Sequence, residues 1–153
     1  MALAFRTILD ASVRAGIIDA DTAVKVRQDV QTKSMDPIEA ISRRARIPVS
    51  SIYQAVAEDK GIPYFGRERL NPRAELMKKV PASLIRRKLI LPVLEESDEI
   101  IVASSPMEEV DYKQIRESLR SVLDKPIKFV IANPDDLKFA IETALRLDKT
   151  DNV

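Results

Sequence analysis

Between Ala2 and about Lys60 the apolar residues recur at intervals of three and four, the spacing of one helix face, with no sustained alternation of β-branched residues. Four helices are predicted there. Ala2 to Phe5, Leu9 and Val13 build the first, which ends at Gly16, a residue that readily takes the left-handed conformation closing a helix. Asp19 caps a second over about Ala20 to Lys33, with Ala23, Val26 and Val30 on one side. Asp36-Pro37 opens a third through Ile38 and Ile41, since Asp is a good cap and Pro is tolerated in the first turn. Ser50 or Ser51 starts a fourth through Ile52, Ala55 and Val56, and Gly61-Ile62-Pro63 stops it.

A weak repeat runs through this stretch. Leu9 and Ile38, Ala11 and Ala40, Arg14 and Arg43, and Gly16 and Ala45 share one offset of 29 residues (45 − 16). Each copy reads as helix, tight turn at Gly16 or Ala45, an Ile at Ile18 or Ile47, a cap and a second helix. Two helical hairpins packed together are expected.

From Tyr64 to about Lys79 the periodicity lapses into polar residues and breakers such as Gly66 and Asn71-Pro72. After it, element types alternate. A short helix at Ala82 to Lys88 precedes strands Leu89–Leu94 and Glu99–Ala103, expected as a hairpin about a turn at Glu95 to Asp98. A helix with Tyr112, Ile115, Leu119, Val122 and Leu123 on one face leads to strand Ile127–Ala132, and strand, helix, strand predicts a right-handed parallel crossover. Asn133 caps a last helix that has Pro134 in its first turn and buries Leu137, Ala140, Ile141, Ala144 and Leu145. The expected fold class is therefore α+β: a four-helix unit over residues 1–65, a linker at 66–79, and a small α/β unit at 80–147. That second unit carries a three-stranded mixed sheet and about three helices, and a fraying polar tail occupies 148–153.

Composition removes many functions. With 153 residues, 45% hydrophobic and 32% charged, the chain suits one ordinary domain or two small ones and is neither disordered nor membrane-spanning. Zero Cys and zero His exclude disulfides, thiolate or imidazole metal sites and every triad whose base is imidazole. Only three Gly are present, without a phosphate-cradling P-loop, so no ATPase or other catalytic residues, no metal ligands and no bound cofactor are expected. Lys and Arg number 25 against 24 Asp and Glu. This balance, with no Trp and few aromatics, argues against nucleic acid as a partner. Arg6 and Asp10 break the N-terminal apolar run before a signal sequence forms, and no stretch is long and apolar enough to span a membrane, so a cytoplasmic location without membrane insertion is expected.

The order Gly61-Ile62-Pro63-Tyr64, Val80-Pro81-Ala82, Leu91-Pro92-Val93 and Ile101-Val102-Ala103-x-x-Pro106, followed by a strand and an amphipathic helix, resembles the N-terminal region of the ATPases that drive type II secretion and type IV pilus assembly. The resemblance covers about residues 5 to 147. It implies an adaptor rather than the motor, since the P-loop core follows this region in the family and is absent here, which makes the sequence look like an N-terminal fragment or a stand-alone relative. The implied partners are the cytoplasmic domain of an inner-membrane secretion or pilus platform protein, which would hold the domain peripheral to that membrane, and the C-terminal ATPase core.

Some relatives sense cyclic di-GMP through paired motifs of the form R-L-G-x-x-L-V-x-x-G-x-I, which is the alternative function. Val13, Gly16 and Ile18 keep the second half of the first motif. The first half departs from it, with Thr7 at the Arg position, Leu9 at the first Gly and Ser12 at the Leu. In the second copy Asp36, Ile38 and Ala45 replace Arg, Gly and Gly. An acid facing a phosphate and a Cβ at three of four glycine positions both disfavour the nucleotide. Arg6, one residue off the motif, joins Val13 and Gly16 as nucleotide candidates.

Two basic runs, Arg43, Arg44 and Arg46, and Arg86, Arg87 and Lys88, are either solvated helix faces or interface rims, Arg being the residue that interfaces favour. Leu3, Phe5, Tyr53 and Tyr64 fall outside the repeat core and are candidates for a partner-facing groove or for closing the seam between units. Leu3, Phe5, Arg43, Arg44, Arg46 and Tyr53 are the interface candidates, all on the helical unit. The acids at Glu95-Glu96, Asp98 and Asp135-Asp136 are explained by turns and caps.

Overall fold

The computed structural model describes residues 3–151, with side chains as far as Arg146. The chain forms α1 (Phe5–Arg14), α2 (Ala20–Lys33), α3 (Pro37–Ala45), α4 (Val49–Lys60), a single 3₁₀ turn at Arg67–Arg69, α5 (Ala74–Met77) and α6 (Ala82–Lys88). β1 (Ile90–Glu95), β2 (Ile100–Ser104), α7 (Glu109–Arg120), β3 (Ile127–Ile131) and α8 (Pro134–Asp151) follow. The predicted caps act as such. Asp19 accepts a hydrogen bond from the Thr22 amide at 2.7 Å, Asp36 from Glu39 at 3.2 Å and Asn133 from Asp135 at 2.9 Å. Gly16 and Gly61 take φ of +76° and +69° at the ends of α1 and α4.

The fold is the α+β arrangement expected, with one hydrophobic cluster in each unit. Leu9, Val26, Ile38, Ile41, Ile52 and Val56 centre the helical one. Within it α1 and α2, and α3 and α4, are in contact, and the two pairs meet closely, with α1 packed chiefly on α4 and α2 on α3. Each first helix of the repeat thus lies against the second helix of the other copy, because Leu9 and Ala11 on α1 and Ile38, Ala40 and Ile41 on α3 all turn to one shared centre. In the second copy the left-handed residue is Arg46 (φ 57°), with Ala45 the last residue of α3, so the closing turn falls one position later than at Gly16. The start of α4 is likewise shifted from the serines, with Pro48 at the cap position.

Residues 66–79 are not a linker. Leu70, Leu76 and Met77 are buried and join Phe65 in the second cluster, and α5 packs on β1 and α8. Breaker-rich sequence here folds into short turns pinned by a few large apolar side chains. β1 and β2 pair antiparallel from Ile90 opposite Ser104 to Glu95 opposite Ile100, with a bulge between Pro92 and Leu94. β2 and β3 pair in parallel. Val122, expected on the buried face of α7, lies beyond its end and is exposed. The last helix reaches Asp151, so the tail expected over 148–153 is helical at its start, and residues 152 and 153 lie outside those described. Among the described residues no helix is long and apolar enough to cross a membrane.

The units meet through a short splint. The Ile131 amide donates to the Pro63 carbonyl and the Phe65 amide to the Ile131 carbonyl, both at 2.8 Å, so Tyr64 forms a one-residue parallel bridge on the free edge of β3.

Candidate functional site

Where the units face each other an open cleft of ≈ 380 Å³ is left. Its helical wall comes from the start of α1 (Leu3, Ile8), the start of α3 (Asp36, Pro37, Ile38) and the inner side of α4 (Tyr53, Val56). The other wall comes from the end of α6 (Arg87, Lys88, Leu89), the loop after β2 (Ser105, Pro106, Met107) and Pro134 at the start of α8. Local sequence explains each placement. Leu3, 6% exposed, is held in the cleft by the Ala4 amide, which donates to Glu108 across the gap at 3.3 Å. Leu89 closes α6 in the left-handed region at φ 52°, donating its amide to Ile85 and turning the chain sharply into β1.

Electrostatics divide the two walls. On the helical side Asp36 spends its carboxylate on the α3 cap. On the other side Arg86 is committed to Glu142 at 3.0 Å, whereas Arg87 and Lys88 have no ion-pair partner among the described residues. Burial first, then the charges of Asp36 and Asp135 and the neighbouring Tyr64, push the Tyr53 phenol up to about 12. Tyr64 is raised by burial and then by Asp136 and Glu68. Both phenols therefore stay neutral and able to donate.

The predicted residues are split by the structure. Leu3 and Tyr53 line the cleft, and Phe5 packs on the helical core. The arginines do not line it. Arg43 pairs with Glu39 on its own helix at 2.6 Å, Arg44 grips Asp29 through two bonds at 2.7 and 2.9 Å and ties α3 to α2, and Arg46 sits in the turn after α3. Of the nucleotide candidates, Arg6 and Val13 share the exposed face of α1, and Gly16 lies in the turn beyond it. Ten residues of helical rise, about 15 Å, separate Arg6 from Gly16. What converges instead is the first half of each motif copy, since Ile8 and Asp36-Pro37-Ile38 meet in the cleft. Leu9 and Ile38, at the first glycine position of each motif copy, are 1% and 7% exposed, so their side chains fill the helical core. Leu89, Met107 and Pro134 carried no periodic signal of a site. Arg87 and Lys88 stood out in the sequence only as part of a basic run. Among the described residues no group of three acids is arranged to hold a metal.

A family model, described as the MshEN domain, matches residues 61–150, more than half of the chain. The chain belongs to the MshEN domain family. Its members are N-terminal domains of the ATPases of type II secretion and type IV pili. Two solved structures share the fold across this MshEN domain and the helices before it. A structure of MshE with cdg superposes at a TM-score of 0.69, with 16% identity over 90% of this chain and 97% of that one. The N-terminal domain of XpsE superposes at 0.57, with 16% identity over 93% and 96%. No curated protein sequence matches the chain.

Proposed function

We propose that this MshEN domain is a non-catalytic adaptor that docks a secretion or pilus ATPase onto the cytoplasmic part of an inner-membrane platform protein, at the cytoplasmic face of that membrane. The observation that carries the reading is the chemistry of the cleft. The cleft holds Ile8 and Pro37 beside Ile38, which stands where the motif has glycine, and the carboxylate of Asp36, which stands where it has arginine. Such walls suit the apolar side chains of a protein partner and offer a phosphate no paired donors on the helical side. ATP hydrolysis, in this reading, belongs to a P-loop core and not to these residues.

The test is binding of the full 153-residue chain to the purified cytoplasmic domain of a platform protein by calorimetry. Saturable binding supports the adaptor; its absence, with both proteins folded, refutes it. Cyclic di-GMP sensing is the second reading, favoured by the likeness to MshE, whose structure is described with cdg, and by the retained Val13, Gly16 and Ile18. A saturable rise in melting temperature with cyclic di-GMP would select it. The adaptor reading expects none.

A further inference from the structure

We propose that the cleft between the units takes an acidic amphipathic segment of a partner protein, with apolar anchors seated between the walls and carboxylates held by Arg87 and Lys88. The proposal rests on the docking reading above and names the chemistry of the segment that docks. The cleft is at the small end of ligand-site volumes, about 300–1,000 Å³, which fits the side chains of a short segment and not a domain face. Its walls are carbon-rich: Leu3, Ile8 and Val56 stand across from Leu89 and Met107. Charge then fixes the partner's sign. Among the described residues Arg87 and Lys88 stand at the end of α6 without carboxylate partners, beside Arg86, which has one.

Arg87 and Lys88 outnumber the one acid that lines the cleft, Asp36, which stands on the opposite wall with one oxygen on the Glu39 amide, and Tyr53 is a neutral donor aligned with the same preference for an acceptor. Asp111 and Gln114 of α7 line a second hollow together with Arg87, Lys88 and Met107. An approaching acidic segment meets Arg87 and Lys88 over an apolar floor, an arrangement in which charge steers encounter and burial supplies lifetime. A nucleotide would need paired donors on both walls, and the helical wall supplies an acid. The docking surface therefore includes the α/β unit, and the helical unit alone forms only half of it.

Random peptides displayed on phage and panned against the full chain test this. The expected selection is Asp or Glu beside Leu, Ile, Phe or Met, and the leading synthetic peptide should bind about tenfold or more weakly to the double variant Arg87→Glu, Lys88→Glu. Arg120→Glu, on the distant end of α7, should leave it unchanged. No consensus, a basic consensus, affinity insensitive to the charge reversal, or displacement of the peptide by cyclic di-GMP would each overturn the proposal. The same variants separate it from the docking reading. If a platform domain binds wild type and the double variant equally, docking stands and this cleft assignment falls; if no platform domain binds while the peptide result holds, the reverse is true.

Discussion

Leu76→Ala measures how far residues 66–79 are part of the fold. Leu76 is 4% exposed in α5, within the cluster that contains Phe65, Leu70 and Met77. Truncation removes three carbon groups, about 2.4 kcal/mol at about 0.8 kcal/mol each. An unrelaxed cavity raises such losses to about 2.7–5 kcal/mol. Leu76 also borders a surface groove lined by Phe65, Arg69, Val93 and Leu94, so the vacated space opens partly to solvent and the loss falls near the lower end, about 3 kcal/mol. For a chain of this size that lowers Tm by about 6–12 °C. Thermal unfolding followed by circular dichroism reads the shift, and urea unfolding at constant m-value confirms that it is stability that changed. A drop of less than about 2 °C, or native-state proteolysis that cuts first within 66–79, would refute the assignment of this segment to the core.

Four further outcomes follow from the structure. Lys79 and Lys125 bond Glu95 and hold its carboxyl down to about 2 from 4.5; the folded value is the lower one, so its stabilisation is complete above about 4.5 and is lost as pH falls toward about 2. Glu95→Gln should flatten that part of a denaturant-midpoint profile against pH. Tyr53, Tyr64 and Tyr112 are all raised, with burial the first cause in each, so near pH 10 the folded chain should show less phenolate absorbance than the denatured chain, which shows about half of the full signal. Arg44→Ala should lower Tm because it leaves the largely buried Asp29 without its bidentate partner, whereas Arg43→Ala should stay within about 0.5 kcal/mol of wild type. The double change Leu9→Gly and Ile38→Gly should abolish cooperative unfolding, as judged by calorimetry.

Much of the fold was legible because its signals are local. Asp19, Asp36 and Asn133 announced helix starts, Gly16 and Gly61 announced ends, and the period changed where the strands begin. The misreadings concern what local signals do not encode. Gly66 and Asn71-Pro72 read as a linker because breakers dominate the window, yet four well-spaced apolar residues, Phe65, Leu70, Leu76 and Met77, suffice to bind an irregular segment to a sheet. The repeat disclosed two equivalent helix pairs but not which helix packs on which, since both pairings bury the same residues. The cleft was half visible. Leu3 and Tyr53 were singled out as apolar residues without a place in the repeat, while Leu89, Met107 and Pro134 come together only through the turn at Leu89 and the bridge at Tyr64, contacts between residues far apart in sequence.

The helix packing also sets what stands at the first glycine position of each motif copy. Packing α1 on α4 and α3 on α2 brings the starts of α1 and α3 to one cleft, and the positions where the motif has glycine become core positions. Leu9 and Ile38 there supply burial that the thin helical unit depends on. Cutting a buried leucine or isoleucine back to alanine costs about 2–5 kcal/mol, and the further step to glycine within a helix costs about 1 kcal/mol. Two such sites together approach the whole stability of a domain, about 5–15 kcal/mol. Glycine at either position alone opens a hole in the core and leaves Asp36 at the arginine position of the second copy. The side chains at these two positions are thus ones that hold the helices together, and Asp36, Pro37 and Ile38 share the cleft beside them with Arg87, Lys88 and the apolar loop of the other unit.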